Sequence, residues 1–361
     1  MKGKRIWILM LCCMLVLSLA AVPGHAADMG NTHTVYHAFT VIGLHTRSEK
    51  EASSGSTVTM YFTSLASSYV GFLFRGWDIP DGLTLTEGDN KSKKISFIMP
   101  DHDVTITEQF EALGPVYQMV RRNNISKNSY TAGNRVSGFP IPTSPVAPSG
   151  EGYRFYEWEG LEGLTITEGD KYTEKLTIIM PEHDVDLKAL YILFDDVLPG
   201  AYCFDPVVWA VERGVTNGTT DTTFSPSDTC KTAHILTFLW RANGSPEPSA
   251  ANPFSDVPSG SYYEKAAVWA YENGLVSGNA FNGDSFCTRA ATMKYLWILA
   301  GSPPSGTTPF TDVSPSADYA KAVSWAVAQG VTNGTTATTF SPDNTCTRGQ
   351  IATFLYRHYA Q

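Results

Sequence analysis

The chain has 361 residues, and its 26 Lys and Arg against 35 Asp and Glu give a formal charge of -9. No basic run is longer than the pair Arg121–Arg122, which excludes a general nucleic-acid binder, since that function needs a clustered cationic surface. The length points to several small domains rather than one.

The first stretch, "MKGKRIWILMLCCMLVLSLAAVPGHA", places Lys2, Lys4 and Arg5 before an apolar run from Ile6 to Leu17 and then small residues. This is the pattern of a secretory signal peptide over residues 1–26, too short for a comfortable membrane span. Its removal takes three basic residues away and moves the charge from -9 to -12. No second stretch of spanning length occurs, and the final "FLYRHYAQ" shows no sorting signal for covalent attachment. The expectation is an exported product, without a membrane span after cleavage, held by a folded, non-covalent device.

Two internal repeats follow. "FRGWDIPDGLTLTEGDNKSKKISFIMPDHDVTITEQF" and "YEWEGLEGLTITEGDKYTEKLTIIMPEHDVDLKAL" stand 81 residues apart, with Trp77 matching Trp158, Gly82 matching Gly163, and Met99-Pro100 matching Met180-Pro181. The alternating stretches "KKISFIM", "VTITEQF" and "KLTIIM" have strand periodicity, with "PDHD" and "PEHD" as turns. His102 and His183 sit between acids, but one triplet supplies at most a weak metal pair, so a solvated turn with Asp capping backbone donors is expected. No metal site and no cofactor is expected anywhere in the chain. The segment from 121 to 155 reads as irregular polar chain whose first part includes an edge strand. Both repeats resemble the divergent internalin B-type repeat of bacterial surface proteins, which implies compact β-grasp-like spacer modules, over 31–112 and 115–191, with no common ligand.

From Phe194 a second repeat begins. "FDDVLPGAYCFDPVVWAVERGVTNG", "FSDVPSGSYYEKAAVWAYENGLVSG" and "FTDVSPSADYAKAVSWAVAQGVTNG" align, with Asp196, Asp256 and Asp312 in register at offsets of 60 and 56. Each unit predicts two helices. In the third, Tyr319, Val323, Ala326 and Val327 recur at helical spacing and Gly330 supplies the stop. Phe340 is expected as a core plug, and Thr347 with Gln350 has the spacing of a capping box before Ile351, Phe354 and Leu355. Pro206 suits a helix start.

The openings F-x-D-V, the V-x-W-A helix, "TFSP" and the "TRA" or "TRG" at the second helix together resemble the S-layer homology (SLH) domain, in three copies over 194–250, 254–305 and 310–361. The resemblance implies a mainly α-helical pseudo-threefold bundle with ligand grooves between modules. It also implies non-covalent binding to a secondary cell-wall polysaccharide, often pyruvylated. Arg289 and Arg348 lie in the first helical turn, where unpaired backbone N–H groups favour an anion, and an Arg fork matches a pyruvyl carboxylate. On spacing alone, pairing with an acid such as Asp256 or Asp312 is equally open. Trp269 and Trp325 are open to sugar stacking or core packing, with core the commoner use. Gly278 and Gly334 are open to close ligand approach or a left-handed turn, and Asp256 and Asp312 to loop capping or groove ordering. Module one departs from the pattern: Lys231 stands at the capping position and Thr232 where the arginine belongs, so its groove is expected to be weakened.

Cys230, Cys287 and Cys346 precede the second helices at equivalent positions, and Cys203 replaces the aromatic found as Tyr263 and Tyr319. Export permits a Cys203–Cys230 disulfide; buried thiols serving as small hydrophobes are the alternative. Motifs for hydrolytic, phosphate-binding or calcium-binding sites are missing from the sequence, and the paired Asp195 and Asp196 sit in an open turn rather than a glycosidase cleft. The expected function is a non-catalytic, wall-anchored surface protein of a Gram-positive-type bacterium displaying two β modules. An adhesin acting through an unknown ligand of the β modules, and an accessory to a wall-remodelling enzyme, remain open.

Overall fold

A computed structural model describes residues 31–41, 44–62, 70–126 and 128–360; the expected signal peptide lies outside them. The described residues fall into two compact units, one drawn from residues up to 149 with 156–190, the other from 150–155 with 191 onward.

In the first unit, β1 (Thr32–Val41), β2 (Leu44–Ser53), β3 (Thr57–Tyr61), β4 (Phe72–Asp78), β5 (Leu85–Glu87), β6 (Lys94–Ile98) and β7 (Val104–Ala112) build the first module. Four strands form a sheet in the order β2-β1-β7-β4 with β1 and β7 parallel at its centre, and β3-β6-β5 form an antiparallel sheet. This is a β-grasp-like strand order. The second module repeats it with β8 (Val116–Asn123), β9 (Tyr130–Val136), β10 (Pro140–Thr143), β11 (Arg154–Glu159), β12 (Thr165–Glu168), β13 (Leu176–Ile179) and β14 (Val185–Ile192). Its sheets run β9-β8-β14-β11 and β10-β13-β12, with β8 and β14 parallel.

Period-two alternation fixes the inward faces: Val104 and Ile106 of β7 are buried while Thr105 between them is exposed. Trp77 and Trp158 are buried, and each indole N–H finds a loop carbonyl, Ser92 at 2.7 Å and Thr173 at 3.1 Å. The acid-flanked histidines are exposed turn residues. In those turns Asp103 accepts the Thr34 N–H and Asp184 the Gln118 N–H, both at 2.8 Å, tying each turn to the first strand of its module. The segment 121–155 is more ordered than its composition implies, since it contains both β9 and β10. β9 is an edge strand whose only buried residue is Val136, and β10 alternates Pro140 and Pro142 with the buried Ile141 and Thr143. Polar edge residues and prolines mask the strand signal there. The alternation of β7 also brings Glu108 inward, where it meets the buried His37 Nε2 at 2.8 Å.

The second unit contains α1 (Phe204–Glu212), α2 (Thr232–Ala242), α3 (Glu264–Glu272), α4 (Arg289–Leu299), α5 (Ala320–Ala328) and α6 (Arg348–Tyr359). Thr288 and Thr347 cap α4 and α6 by accepting the N–H of Ala291 and Gln350, and Gln350 Oε1 returns the bond to the Thr347 N–H at 3.2 Å. Gly214, Gly274 and Gly330 follow the first helices at φ of 68°, 70° and 69°, the left-handed turn that stops a helix. The helices do not pair within modules. Instead α2 packs on α3, α4 on α5, and α6 returns to α1, a closed pseudo-threefold ring. On its axis the cysteine backbones bond in a cycle: Cys230 N–H to Cys346 carbonyl (2.8 Å), Cys346 N–H to Cys287 carbonyl (3.2 Å), and Cys287 N–H to Cys230 carbonyl (3.2 Å).

Cys203, Cys230, Cys287 and Cys346 are all buried free thiols, which corrects the Cys203–Cys230 pairing considered from the sequence. Cys230 belongs to the axial ring, whereas Cys203 precedes α1 and packs by the start of α6, its Sγ 3.3 Å from where a side chain on Gly349 would begin. Burial pushes the Cys230 and Cys287 thiols up to about 12.

Gly334 (φ 79°) leaves no room for a Cβ, which would stand 2.5 Å from the Phe310 ring and 2.6 Å from the Thr339 carbonyl oxygen. Its counterpart Gly278 (φ 91°) has no heavy atom within 4 Å of that position.

Two outcomes are expected. Gly334→Ala should lower stability by about 2–4 kcal/mol, combining left-handed strain with overpacking, against about 1 kcal/mol for Gly278→Ala, as read by chemical denaturation. The four thiols should resist a thiol reagent in the native protein and react in denaturant, and dithiothreitol should leave the melting temperature unchanged, because no disulfide contributes.

Candidate ligand site at the module boundaries

The first turn of an α-helix presents N–H groups without intrahelical partners. Here the next module in the ring satisfies them. Arg348 and Gly349 donate backbone N–H to the carbonyls of Asp228 (2.8 Å) and Pro226 (2.9 Å), Arg289 and Ala290 to Asn344 (2.9 Å) and Pro342 (3.0 Å), and Thr232 and Ala233 to Ser285 (2.8 Å) and Gly283 (3.0 Å). With the threonine caps taking the third donor of α4 and α6, these helix starts have no free N–H for an anion. The sequence expectation of a backbone anion site is corrected accordingly: any ligand contact there falls to side chains.

Arg289 is 3% exposed and Arg348 7%. Each reaches across a boundary. Arg289 Nε donates to the Phe340 carbonyl at 2.9 Å, its guanidinium lying 4.8 Å from the Phe340 ring centroid and 5.4 Å from that of Phe354. Arg348 Nε donates to the Phe224 carbonyl at 2.8 Å and lies 4.7 Å and 5.4 Å from the Phe224 and Phe238 rings. Carbonyls and ring faces offset part of the desolvation cost. Among the described residues neither guanidinium forms an ion pair, so pairing with Asp256 or Asp312 is not what holds it. Burial pushes both guanidinium pKa values down, with Asp312 and Asp196 pulling the other way from a distance. Arg348 Nη2 is 3.5 Å from Thr216 Oγ1, whereas the buried Nη2 of Arg289 has no hydrogen-bond partner.

The aspartates hold the same loops from the other side. Asp312 accepts the N–H of Phe340 (2.8 Å) and Ser341 (2.7 Å), Asp196 those of Phe224 (2.8 Å) and Ser225 (2.7 Å), and Asp256 those of Phe281 and Asn282 (both 2.7 Å). These bonds hold the Asp256 carboxyl below its ordinary value; at Asp312 burial works upward but the two donors and Arg289 outweigh it. Phe340 and Phe224 are therefore clamped at both ends, N–H by an aspartate of their own module and C=O by an arginine of the preceding one. Trp269 and Trp325 are buried in the helical core at 5% and 6% exposure, with no face open to a sugar. Gly334 packs on Phe310, and of the two candidate glycines only Gly278 leaves open space.

The boundary between modules one and two differs. Thr232 replaces the arginine and turns its hydroxyl to the Ser285 carbonyl at 3.1 Å, while Lys231 Nζ pairs with Asp284 at 2.6 Å. Phe281 is stacked by Tyr263, centroids 5.7 Å apart, rather than by a guanidinium. Sequence reasoning missed Thr216 and the phenylalanine carbonyls as arginine partners, because both lie in the module that follows in the ring.

Family-level comparison matches residues 38–114 and 124–193 to the divergent InlB B-repeat domain, and residues 193–231, 253–292 and 309–352 to the S-layer homology domain. The chain is similar to an exoglucanase XynX of Acetivibrio thermocellus, 28% identical over 46% of this chain and 16% of that protein. It is also similar to an amylopullulanase of Thermoanaerobacterium thermosulfurigenes, 29% identical over 42% and 9%, and to an endoglucanase of Bacillus sp. (strain KSM-635), 30% identical over 45% and 19%. The chain thus spans less than a fifth of the length of these relatives. With the two β modules and the closed helical ring, these matches give the chain two regions that match the divergent InlB B-repeat domain followed by three that match the S-layer homology domain.

Proposed function

We propose that the chain is a non-catalytic cell-surface protein held to a bacterial wall by its three SLH modules, with the two β modules displayed as spacers. The partner is secondary cell-wall polysaccharide, and its recognised group is an anion such as a pyruvyl ketal carboxylate. One observation carries the reading: among the described residues two guanidiniums are buried at module boundaries without an ion-paired carboxylate, the nearby aspartates acting only from a distance, and Nη2 of Arg289 has no hydrogen-bond partner. A buried cation of this kind is stabilised by an arriving anion more than an exposed one is. The relatives fit an anchor, because enzymes with different names each match the chain over only a small fraction of their own length. Exported location follows the same reading; among the described residues no helix is long and apolar enough to cross a membrane. Two competent boundaries on one chain convert weak single contacts into durable attachment, because the second contact is intramolecular.

The test is co-sedimentation of the chain lacking residues 1–26 with purified wall sacculi, before and after chemical removal of secondary polymer or of its pyruvyl groups. Arg289→Gln/Arg348→Gln should bind at least about a hundredfold more weakly, about tenfold per charge-assisted contact, and stripped sacculi should bind neither protein. Thermal melts separate this from unfolding. Equal sedimentation of a folded double variant and the parent chain would reduce the arginines to braces between modules.

A further inference from the structure

The sequence holds five Asn-Gly pairs, beginning at Asn217, Asn243, Asn273, Asn282 and Asn333. An asparagine followed by glycine can deamidate without an enzyme, because the glycine nitrogen reaches the side-chain Cγ with no Cβ of its own in the way. The reaction needs two groups at liberty, the carboxamide and the next backbone N–H. Four of the pairs have at least one of them engaged. Gly218 and Gly334 donate their N–H to Thr216 Oγ1 (3.4 Å) and Thr332 Oγ1 (3.2 Å). Gly244 and Gly274 donate theirs to the carbonyls of Arg241 (2.9 Å) and Tyr271 (3.0 Å), and the Asn243 and Asn273 carboxamides donate to the carbonyls of Leu239 (2.7 Å) and Trp269 (2.8 Å). Asn282 is exposed, and among the described residues neither its carboxamide nor the Gly283 N–H has a hydrogen-bond partner.

The same position in the other two modules is inert. Asn282 (φ 53°) is the left-handed residue after Phe281, as Ser225 and Ser341 are, at 57°, after Phe224 and Phe340. There the next residues are Pro226 and Pro342, which have no N–H. We propose that Asn282 is a site of self-modification by deamidation. Gly283 N bonds to Asn282 Cγ, the Cγ–Nδ2 bond breaks, and the nitrogen leaves as ammonia with the proton from Gly283. Water then opens the cyclic imide at either carbonyl, giving an aspartyl or an isoaspartyl linkage, and nothing is oxidised or reduced. The isoaspartyl product inserts a methylene into the main chain between the N–H that Asp256 holds (2.7 Å) and the Gly283 carbonyl that accepts the Ala233 N–H (3.0 Å). It also moves the carbonyl that accepts the Ser285 N–H (3.0 Å) onto a side branch as a carboxylate, close to that of Asp256. Both changes loosen the seam between modules one and two, the boundary where Thr232 stands in place of the arginine.

Peptide mass mapping of the chain lacking residues 1–26, aged in mildly alkaline buffer and labelled with an isoaspartyl methyltransferase, tests the site. In the native protein Asn282 should convert about tenfold faster than any of the other four asparagines, since each of those must first give up a hydrogen bond. In denaturant the five rates should converge, because the local chemistry is then the same. Fastest native conversion at another asparagine, equal native rates at all five, or no conversion at Asn282 overturns the proposal. Hydrogen exchange reads the consequence: the Thr232 and Ala233 amides should exchange about tenfold faster in the aged chain than in the fresh one. Asn282→Ser, the residue of the other two modules, should keep the melting temperature and hold the slow exchange through the same ageing. A deamidated chain whose Thr232 and Ala233 amides stay as protected as before would overturn the loosening of the seam.

Discussion

Each second helix of the ring begins with N–H groups that its own module does not satisfy, and the rest of the bundle follows from where they go. The donors of α2, α4 and α6 pass to loop carbonyls of the next module, and the cysteine backbones close the cycle on the axis. Each such bond contributes about 1 kcal/mol net, but leaving a buried donor unpaired costs more. A module taken out of the ring would expose its helix start and the opposing loop together. This is a physical reason for three copies even though one lacks the arginine: Thr232 still hands its N–H to Ser285, so module one completes the ring without contributing a guanidinium.

The arginines combine bracing with recognition. Nε of each is committed to a phenylalanine carbonyl across the boundary, which aims the rest of the fork at the same loop that an aspartate orders from behind. Such a side chain holds two modules in register and, on the anchoring reading, presents charge that no described carboxylate pairs directly, Asp312 and Asp196 acting only from a distance. A lysine has neither the second donor plane nor the flat face for the rings, and Lys231 at the divergent boundary is engaged by Asp284 instead.

Much of this was legible in the sequence because local rules govern it. The caps at Thr347 and Gln350, the stop at Gly330 and the plug at Phe340 depend on residues within a few positions of one another, and the structure has them as their spacing implies. What was hidden depends on partners far apart in the chain. The free N–H groups assumed at Arg289 and Arg348 are taken by loops of another module, 55 and 120 residues away for the Arg289–Asn344 and Arg348–Asp228 bonds. The packing of α6 on α1 requires residues of the first and third modules at once, and the register of repeats does not say which neighbour a helix chooses. In the β unit, β9 and β10 were hidden for a different reason: an edge strand needs few buried residues and tolerates proline, so alternation is weak.

The central claim is that the three SLH modules form one cooperative ring closed through their helix starts. Native-state hydrogen exchange of the Cys230, Cys287 and Cys346 amides tests it most directly, since the three donate to one another around the axis. The account predicts that all three exchange only through global unfolding of the helical unit, with the same free energy and the same denaturant dependence. One axial amide exchanging through a smaller, separate opening would contradict it, because a module able to open alone does not depend on the ring.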